Sequence, residues 1–417
     1  MAARRRIAVV GGGIAGLTLG AALDPRRFEV TVYEATPHRD AVGSALGLWP
    51  AARRALTGLG VLDSLETGSP GHGGLHHIGG RRVAAGGAPG LVMVRRPDLM
   101  RALGAALPPA VRRVTAEITD PASLDADLVV GADGVRSVVR GLVDPRAATR
   151  RQTDYVVLRG LTDSPPPPGA VGEYWGGGML FGIVPVGGGS YWFAAHRSAL
   201  GPEPLPVEAV LQEVRARAES VRAARAVRDT LAAPQASAAS ATRLWVAPPL
   251  RRYARGRYVV LGDAAHAMTP NLGRGACDAI VDAVTLARAL TRGGPWARRA
   301  WQTRRLPPTQ LARVGSGALM RLALDVPAGA FAGASAGAAV AGPATSAGLD
   351  GLVGPAASSE PAGPATPGGP AGPATSAAPA GSAEPAGPGG PAAPAAPAGP
   401  AGPASGPHEA PDRREPR

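Results

Sequence analysis

The chain has 417 residues, which is enough for two domains and a large hydrophobic core. Its formal net charge is +13, but every basic residue is arginine and aromatic residues make up only 4%, so a base-stacking nucleic-acid surface is not expected. The absence of lysine excludes Schiff-base catalysis, and the single cysteine, Cys277, excludes an internal disulfide, which makes a reducing cytoplasm the expected compartment.

A short apolar run near the N-terminus leads directly into a glycine-rich turn. Residues 7–10 predict a buried strand, GGGIAG follows at 11–16, and 17–23 continue as a helix. These glycines permit a tight turn and the close approach of a pyrophosphate. A second strand ends at Glu34, whose carboxylate suits the hydroxyls of an adenosine ribose. The pattern favours nucleotide binding over a purely structural turn.

Two further motifs follow, each beginning where a predicted strand ends. Residues 92–94 predict a strand, and RRPDL at 95–99 opens a helix in which Arg96 is a candidate for reaching a cofactor. Residues 127–131 predict a buried strand, and Asp133 follows just beyond its end. Asp133 is either a second functional carboxylate or a turn residue that caps a helix.

The middle of the chain changes character after Pro145. Four apolar or alternating runs, at 155–160, 172–175, 179–186 and 190–196, are separated by glycine and proline turns and predict an antiparallel sheet. An amphipathic helix is predicted at 207–231 and a last strand at 242–246. This section is therefore expected to be a domain inserted into the nucleotide-binding one.

The segment from Arg257 to Leu290 combines a strand, an acidic turn, a loop and a helix. Its strand ends at Gly262, and Asp263 follows at the carboxyl end. Pro270, Gly273 and Gly275 keep the loop non-helical until about Ala276, where helical spacing of apolar residues begins. A helix N-terminus offers unpaired N–H groups and partial positive charge, so the segment predicts an anion-binding element.

The C-terminal part falls into two sections. Residues 296–323 predict one or two helices that are interrupted at Pro307 and Pro308. From 327 to 417 the chain is rich in proline, alanine and glycine and is predicted to be a disordered tail, because it offers too little apolar surface to fold. No partner of the tail is predicted, and stable membrane insertion is not expected.

Together these motifs resemble those of the single-component FAD-dependent aromatic hydroxylases. The resemblance is carried, in the family's order, by GGGIAG with Glu34, RRPDL at 95–99, GADGVRSVVR at 131–140 and GDAAHAMTPNLGRGACDA at 262–279. It covers roughly residues 5–320. It implies an α/β fold with a Rossmann-like FAD-binding domain, at 1–148 and 250–325, and an inserted antiparallel β-sheet substrate domain at 149–249.

The resemblance also implies a set of cofactor contacts. By similarity, the glycine turn lies against the FAD pyrophosphate, Glu34 binds the ribose, Arg96 and Asp263 hold the central part of FAD, and Asp133 serves FAD and nicotinamide indirectly. Pro270 is expected beside the isoalloxazine. The residues expected to bind the cofactor are Gly11, Gly13, Ile14, Ala15, Gly16, Glu34, Ala35, Arg96, Asp133, Asp263, Pro270, Gly273, Gly275 and Ala276. No metal site and no catalytic acid or base is predicted.

The activity implied is a monooxygenase reaction. In the family, NADH or NADPH reduces the flavin, dioxygen adds to form a flavin C4a-hydroperoxide, and one oxygen atom is transferred to an aromatic or polyketide-like small molecule. Two alternatives remain open: an FAD-dependent reductase or dehydrogenase on the same fold without oxygen insertion, and a flavin-binding regulator without enzymatic activity.

Some residues depart from the family pattern or leave a choice. Arg274 replaces the usual glutamine of the loop and either strengthens anion binding or faces solvent. Cys277 is interpreted as a small packing residue and His266 as structural. Five side chains are candidates for the substrate pocket, with core packing as the favoured interpretation of each: Trp49, Trp175, Phe181, Trp192 and His196.

Overall fold

The computed structural model describes residues 4–37, 44–201, 203–233 and 239–327. The predicted disordered tail lies outside the described residues from 328 onward. None of the helices in the described ranges combines the length and the hydropathy that a membrane span requires.

Fifteen strands and nine α-helices occur in the described ranges. The strands are β1 (Arg5–Val10), β2 (Phe28–Glu34), β3 (Ala45–Leu48), β4 (His72–His77), β5 (Arg82–Gly87), β6 (Val92–Arg95), β7 (Arg112–Thr115), β8 (Leu128–Gly131), β9 (Arg151–Thr162), β10 (Gly172–Gly176), β11 (Met179–Val186), β12 (Gly189–Arg197), β13 (Ser240–Val246), β14 (Ala254–Arg255) and β15 (Tyr258–Val260). The helices are α1 (Ile14–Ala22), α2 (Pro50–Thr57), α3 (Arg96–Ala105), α4 (Val139–Val143), α5 (Val207–Ser220), α6 (Arg225–Ala232), α7 (Asp263–His266), α8 (Gly275–Arg292) and α9 (Ala297–Asp325).

The first sheet has six strands in the order β14-β15-β8-β1-β2-β7, and all neighbours are parallel except β14 and β15. In its centre Val10 pairs with Gly131, and Gly131 pairs with Val260. The carboxyl ends of β1, β8 and β15 therefore meet at one edge. Ligands of open α/β sheets bind outside such an edge. Three of the four predicted motifs leave from it, and the fourth, RRPDL, follows β6 of a separate two-stranded sheet.

The second sheet has seven strands in the order β13-β9-β12-β11-β10-β4-β5. It is antiparallel, as predicted, except that β10 pairs with β4 in parallel. Strands β4 and β5 come from the glycine- and histidine-rich segment at 68–90, whose composition predicts irregular strands and turns. The boundaries predicted for the two domains stay a prediction.

Each face of the second sheet has its own packing. On one face, buried side chains such as Phe181 and Trp192 form a core with α5 and α6. On the other face, Trp175 and Leu180 pack against Met320 and Leu324 near the end of α9. The remainder of this second face is open to a cavity.

The helix predicted at 207–231 is in fact two helices. Helix α5 ends at Ser220, and Arg222 has a left-handed φ of 49° before α6 begins. A left-handed residue commonly ends a helix, but it is usually glycine. Because this residue is arginine rather than glycine, the sequence carries no signal of the break, and its amphipathic pattern runs from α5 into α6 without interruption.

The break predicted at Pro307 and Pro308 is absent, because α9 runs through both. Proline in a helix interior removes a hydrogen bond and normally costs about 3 kcal/mol. Contacts on either side hold the helix here. Arg305 bonds Asp282 at 2.6 Å, and the Thr309 hydroxyl is bonded to that of Tyr253 at 2.5 Å. Tertiary contacts thus override the local preference.

Candidate active site

A cavity of about 1760 Å³ lies between residues of the predicted cofactor motifs and the open face of the seven-stranded sheet. Pockets for a single drug-sized ligand have volumes of about 300–1,000 Å³, so this cavity has room for a cofactor and a substrate. The predicted cofactor residues that line it are Gly13, Ile14, Ala15, Glu34, Arg96, Asp263, Pro270, Gly273, Gly275 and Ala276. Gly11, Gly16, Ala35 and Asp133 are not among the lining residues.

The glycines of the first turn differ in what surrounds them. Gly11 has a φ of +104°, and an added Cβ would lie 2.3 Å from the Ala132 carbonyl oxygen. A Cβ at Gly16 would lie 1.9 Å from the Gly11 carbonyl oxygen. No atom of the described residues lies within 4 Å of a Cβ built at Gly13, which lines the cavity. Gly11 and Gly16 are thus required by packing, while the space at Gly13 is open.

Glu34 lies at the end of β2, beside this turn. Its Oε2 accepts a hydrogen bond from the backbone N–H of Gly12 at 2.7 Å, and its Oε1 accepts one from Thr36 at 2.8 Å. A charged carboxylate held by two backbone donors is fixed in orientation. Glu34 therefore presents a positioned negative charge at one end of the cavity.

Asp133 leaves the end of β8 and turns inward. Its Oδ2 accepts hydrogen bonds from Val138 at 2.8 Å and Val139 at 3.4 Å, and its buried Oδ1 has no partner within the described residues. Burial raises the pKa of Asp133 above its ordinary value despite these bonds. The neighbouring Gly134, rather than Asp133, lines the cavity.

Arg140, in the same motif, has a role that the sequence does not reveal. Its side chain is fully buried, and the guanidinium donates to the carbonyl oxygens of Val135 at 2.9 Å, Ala147 at 2.8 Å and Ala264 at 3.2 Å. Ala264 follows Asp263 directly. Arg140 therefore fastens the turn after β8 to the turn after β15.

The last motif, at 262–279, brings an acidic residue to the start of a helix. Asp263 is exposed, and a Cβ built at Gly275 would lie 3.9 Å from its Oδ1. Gly273 has a φ of +59°, which lets the loop reverse before α8 begins at Gly275. The N-terminus of α8 and the Asp263 carboxylate thus face the same part of the cavity.

Two buried polar side chains beside this loop have unsatisfied atoms. Asn271 is 6% exposed, and neither its Oδ1 nor its Nδ2 has a partner among the described residues. The buried Nε1 of Trp49 is likewise unpaired, and both residues line the cavity. An orphaned buried group costs about 1–3 kcal/mol, so such groups are expected to meet a ligand. A flavin dinucleotide fits three features of this cavity: the open space at Gly13, the unpaired donors and acceptors, and the N-terminus of α8.

Behind the loop lies a buried ion-pair network that sequence analysis missed. Asp282 Oδ1 accepts from Arg305 Nε at 2.6 Å, and its Oδ2 lies 2.7 Å from His266 Nε2. Burial opposes the charged form of His266, but Asp282 outweighs burial and raises the pKa of the imidazole. Arg305 also bonds Asp278 at 3.0 Å. The network joins α7, α8 and α9 under the cofactor motif.

The structure decides between the alternatives for this motif. The structural interpretation of His266 is confirmed by its fully buried contact with Asp282. Arg274 does not face solvent, because it is 6% exposed and lies 3.3 Å from the Asp278 carboxylate. Cys277 is buried and its Sγ lies 3.2 Å from the Gly47 carbonyl oxygen, as expected of a packing residue.

The five candidate pocket residues divide between the cavity and the core. Trp49 lines the cavity, whereas Phe181 and Trp192 lie in the core beneath α5 and α6. Trp175 packs against the end of α9, and buried His196 bonds Glu213 at 2.8 Å. Core packing thus holds for these four, and Trp49, which is 7% exposed, also belongs to a buried core cluster although it lines the cavity.

Glu173 lines the cavity from β10 and was not predicted as a site residue. Burial raises the pKa of Glu173 to about 7, although the indole N–H of Trp175 donates to Oε2 at 2.8 Å. The folded state therefore binds this proton more tightly than the unfolded chain, whose carboxyl has its ordinary pKa of 4.5. Stability is consequently lost as the pH rises between these two values.

We expect Glu173→Gln to remove that pH-dependent loss. The variant keeps an acceptor for Trp175 but carries no charge, so it will be more stable than the wild type at pH 8, by on the order of 1 kcal/mol or more, and nearly equal at pH 4. Urea unfolding at both pH values measures the difference. Glu219→Gln, at an exposed position of α5, is the control and should change neither curve. An equal effect of Glu173→Gln at both pH values would show that its charge is not the cause.

Comparisons with known proteins agree with this geometry. A family model described as FAD binding domain matches residues 106–297, and one described as NAD(P)-binding Rossmann-like domain matches residues 9–39. The 3-amino-4-hydroxybenzoate 2-monooxygenase of Streptomyces cremeus is 37% identical over 346 residues, which cover 73% of this chain and 84% of the relative. The Aurachin C monooxygenase/isomerase of Stigmatella aurantiaca is 32% identical, covering 68% of this chain and 80% of the relative.

A solved structure shares the fold. Klebsiella pneumoniae HpxO, complexed with FAD and uric acid, superposes with a TM-score of 0.68 at 21% identity, covering 84% of this chain and 92% of HpxO. The fold and the site thus define a flavoprotein with a Rossmann-like FAD-binding domain. The chain belongs to the family of FAD-dependent monooxygenases that hydroxylate aromatic compounds. Its cofactor is FAD, and NAD(P)H is the reductant.

Proposed function

We propose that the chain hydroxylates a small aromatic compound of the aminohydroxybenzoate class, using dioxygen and NAD(P)H. The observation that carries this proposal is a single large cavity with the cofactor motifs on one side and a partly polar sheet face on the other. The name of the Streptomyces cremeus relative supports the substrate class. The single cysteine, which excludes an internal disulfide, supports a cytoplasmic location.

We propose that FAD is held by the predicted residues that line the cavity. Gly13 would face the pyrophosphate, Glu34 the ribose hydroxyls, and Arg96 and Asp263 the central part of the molecule. Gly11 and Gly16 would act indirectly, by allowing the turn to pack. Asp133 would act indirectly as well, since its carboxylate holds the backbone of the turn that exposes Gly134.

When bound, FAD supplies hydride acceptance from NAD(P)H and the activation of dioxygen for transfer to an aromatic ring. The protein supplies position and electrostatics. The N–H groups of Gly275 and Ala276 at the start of α8 favour a group that becomes anionic. Pro270 and the open sheet face would confine the substrate ring. The surrounding apolar side chains would keep water away from the reacting atoms.

A matched pair of glycine variants tests the proposed contact with the pyrophosphate. Gly13→Ala adds a methyl group where the protein has open space, so the variant should fold normally and bind FAD at least about tenfold more weakly, a change of about 1.4 kcal/mol. Gly16→Ala forces a methyl group against backbone and should lower stability by about 1–3 kcal/mol or more. FAD titration and urea unfolding separate the two effects. Wild-type FAD affinity in folded Gly13→Ala would refute the contact.

The proposed reaction is tested by product mass and oxygen balance. The FAD-loaded full chain is given NADH or NADPH with 3-amino-4-hydroxybenzoate, and the product is analysed for one added oxygen atom derived from labelled dioxygen. We expect product formation to match nicotinamide oxidation, with little hydrogen peroxide released. Nicotinamide oxidation that gives only peroxide and leaves every aromatic compound of a phenol panel unchanged would favour the reductase alternative.

A further inference from the structure

The open face of the seven-stranded sheet carries an ordered row of side chains. The pairing register places Arg159 opposite Phe193, Phe193 opposite Gly182, and Gly182 opposite Glu173. Paired residues of neighbouring strands point to the same face of a sheet. Arg159, Phe193 and Glu173 accordingly all line the cavity, on β9, β12 and β10.

The centre of the row is aromatic. The Phe193 ring lies over Gly182, where an added Cβ would be 2.2 Å from the ring. Tyr191, two positions earlier on the same face of β12, lies with its ring 5.8 Å from that of Phe193. The absence of a side chain at Gly182 therefore lets the Phe193 ring occupy the space above β11, so that aromatic surface forms part of the cavity wall.

Arg159 forms the positively charged end of the row. Its Nη1 donates to the hydroxyl of Thr242 at 2.8 Å, and no carboxylate pairs with it among the described residues. A guanidinium has five N–H donors and suits a carboxylate through two parallel hydrogen bonds. The residue thus offers an uncompensated cation to the cavity.

Glu173 forms the opposite end of the row, where it offers a hydrogen-bond acceptor instead of a cation. Its hydrogen-bond donor is the indole of Trp175, and no arginine pairs with it in the part of the chain that the structure describes. Strand order separates β9 from β10 by three intervals, or roughly 14 Å between backbones. The side chains of Arg159 and Glu173, with the planar ring of a bound molecule between them, can span that distance.

We propose that Arg159, Phe193 and Glu173 form a substrate subsite for an aromatic compound with an acidic group at one end and a hydrogen-bond donor at the other. Arg159 binds the acidic group, the aromatic pair contacts the ring, and Glu173 accepts a hydrogen bond from an amino or hydroxyl substituent. This inference rests on the proposed function and assigns residues to its substrate class. It makes Arg159 and Glu173 the determinants of selectivity.

Binding selectivity of two variants tests the subsite. The probes are 3-amino-4-hydroxybenzoate, its carboxamide, which lacks the acid, and benzoate, which lacks the donors. They are titrated into the FAD-loaded full chain at pH 8 while tryptophan fluorescence and flavin absorbance are recorded. Arg228→Gln and Glu219→Gln, at exposed positions, are the matched controls. FAD content and the unfolding midpoint of each variant establish that it is folded.

We expect Arg159→Gln to weaken the binding of the two carboxylate probes by about 10- to 100-fold, which corresponds to the loss of a hydrogen bond to a charged group. The binding of the carboxamide should change less than about threefold. Glu173→Gln should weaken the two probes that carry donors by about tenfold and leave benzoate nearly unchanged. The controls should bind all three probes as the wild type does.

The outcomes distinguish the subsite from the proposed reaction. Equal losses for every probe, no loss, or no binding of any probe to the wild type would overturn the subsite. Variants with unchanged selectivity in a chain that still hydroxylates 3-amino-4-hydroxybenzoate would leave the proposed function standing. The predicted selectivity without any oxygenated product would support the subsite and refute the reaction.

Discussion

Replacing Asp263 with alanine should give a folded protein that has lost most of its affinity for FAD. The carboxylate is exposed, lines the cavity and makes no hydrogen bond or ion pair within the described residues. Its removal therefore breaks no hydrogen bond or ion pair among those residues. If it accepts a hydrogen bond from the central part of FAD, the variant loses about 1.5–3 kcal/mol of binding free energy. The dissociation constant of FAD then rises roughly 10- to 100-fold. FAD titration of the apoprotein, followed by flavin fluorescence, measures the change.

Asp229→Ala is a suitable control for this experiment. Asp229 is an exposed acid on α6 that pairs with Arg225 at 3.2 Å, far in sequence from the cofactor motifs. Its loss should leave both FAD affinity and activity unchanged. Full flavin occupancy of purified Asp263→Ala, with an unaltered dissociation constant, would show that the cofactor is held by other groups.

Replacing Asp282 with alanine should cause the largest loss of stability of the changes considered. Asp282 is fully buried, and it neutralises Arg305 while it bonds His266. Burial works against its charged form, but Arg305 and His266 outweigh burial and lower the pKa of Asp282. Its removal leaves the buried Arg274 and Arg305 sharing the carboxylate of Asp278, and an unbalanced buried charge of this kind costs about 3–5 kcal/mol. Urea unfolding at pH 7 with saturating FAD measures this loss.

The same Asp229→Ala variant provides the comparison for stability. Its exposed pair with Arg225 is spaced four residues apart on one helix, and such pairs contribute only about 0.3–0.5 kcal/mol. A loss below about 1 kcal/mol in Asp282→Ala would mean that water or a structural shift compensates Arg305, and that the network does not hold the three helices together.

The part of the fold that could be predicted is the part encoded locally. The strand, glycine turn and helix at 7–23 are contiguous in sequence, and the same is true of the strand and turn that end at Asp263. Since parallel strands end at a common edge, these two units and the strand that ends before Asp133 were enough to predict that their turns meet at one edge of the sheet. The family comparison confirms the class of protein to which that reasoning led.

The features that could not be predicted depend on residues that meet only in the folded chain. Arg140 donates a hydrogen bond to Ala264, which lies 124 positions away in the sequence. Arg305 on α9 donates one to Asp282 on α8. Neither pair has a spacing that a helical or strand pattern would reveal. The row from Arg159 to Glu173 likewise depends on the register of four strands. Periodicity identifies a buried face, but it does not identify which strands are neighbours.

The most direct test of the central claim is the visible absorption spectrum of the purified full-length chain. The account predicts a yellow protein with close to one FAD per chain, whose flavin bands bleach when NADH or NADPH is added without oxygen and return when air is admitted. A colourless protein that does not take up added FAD would contradict the account.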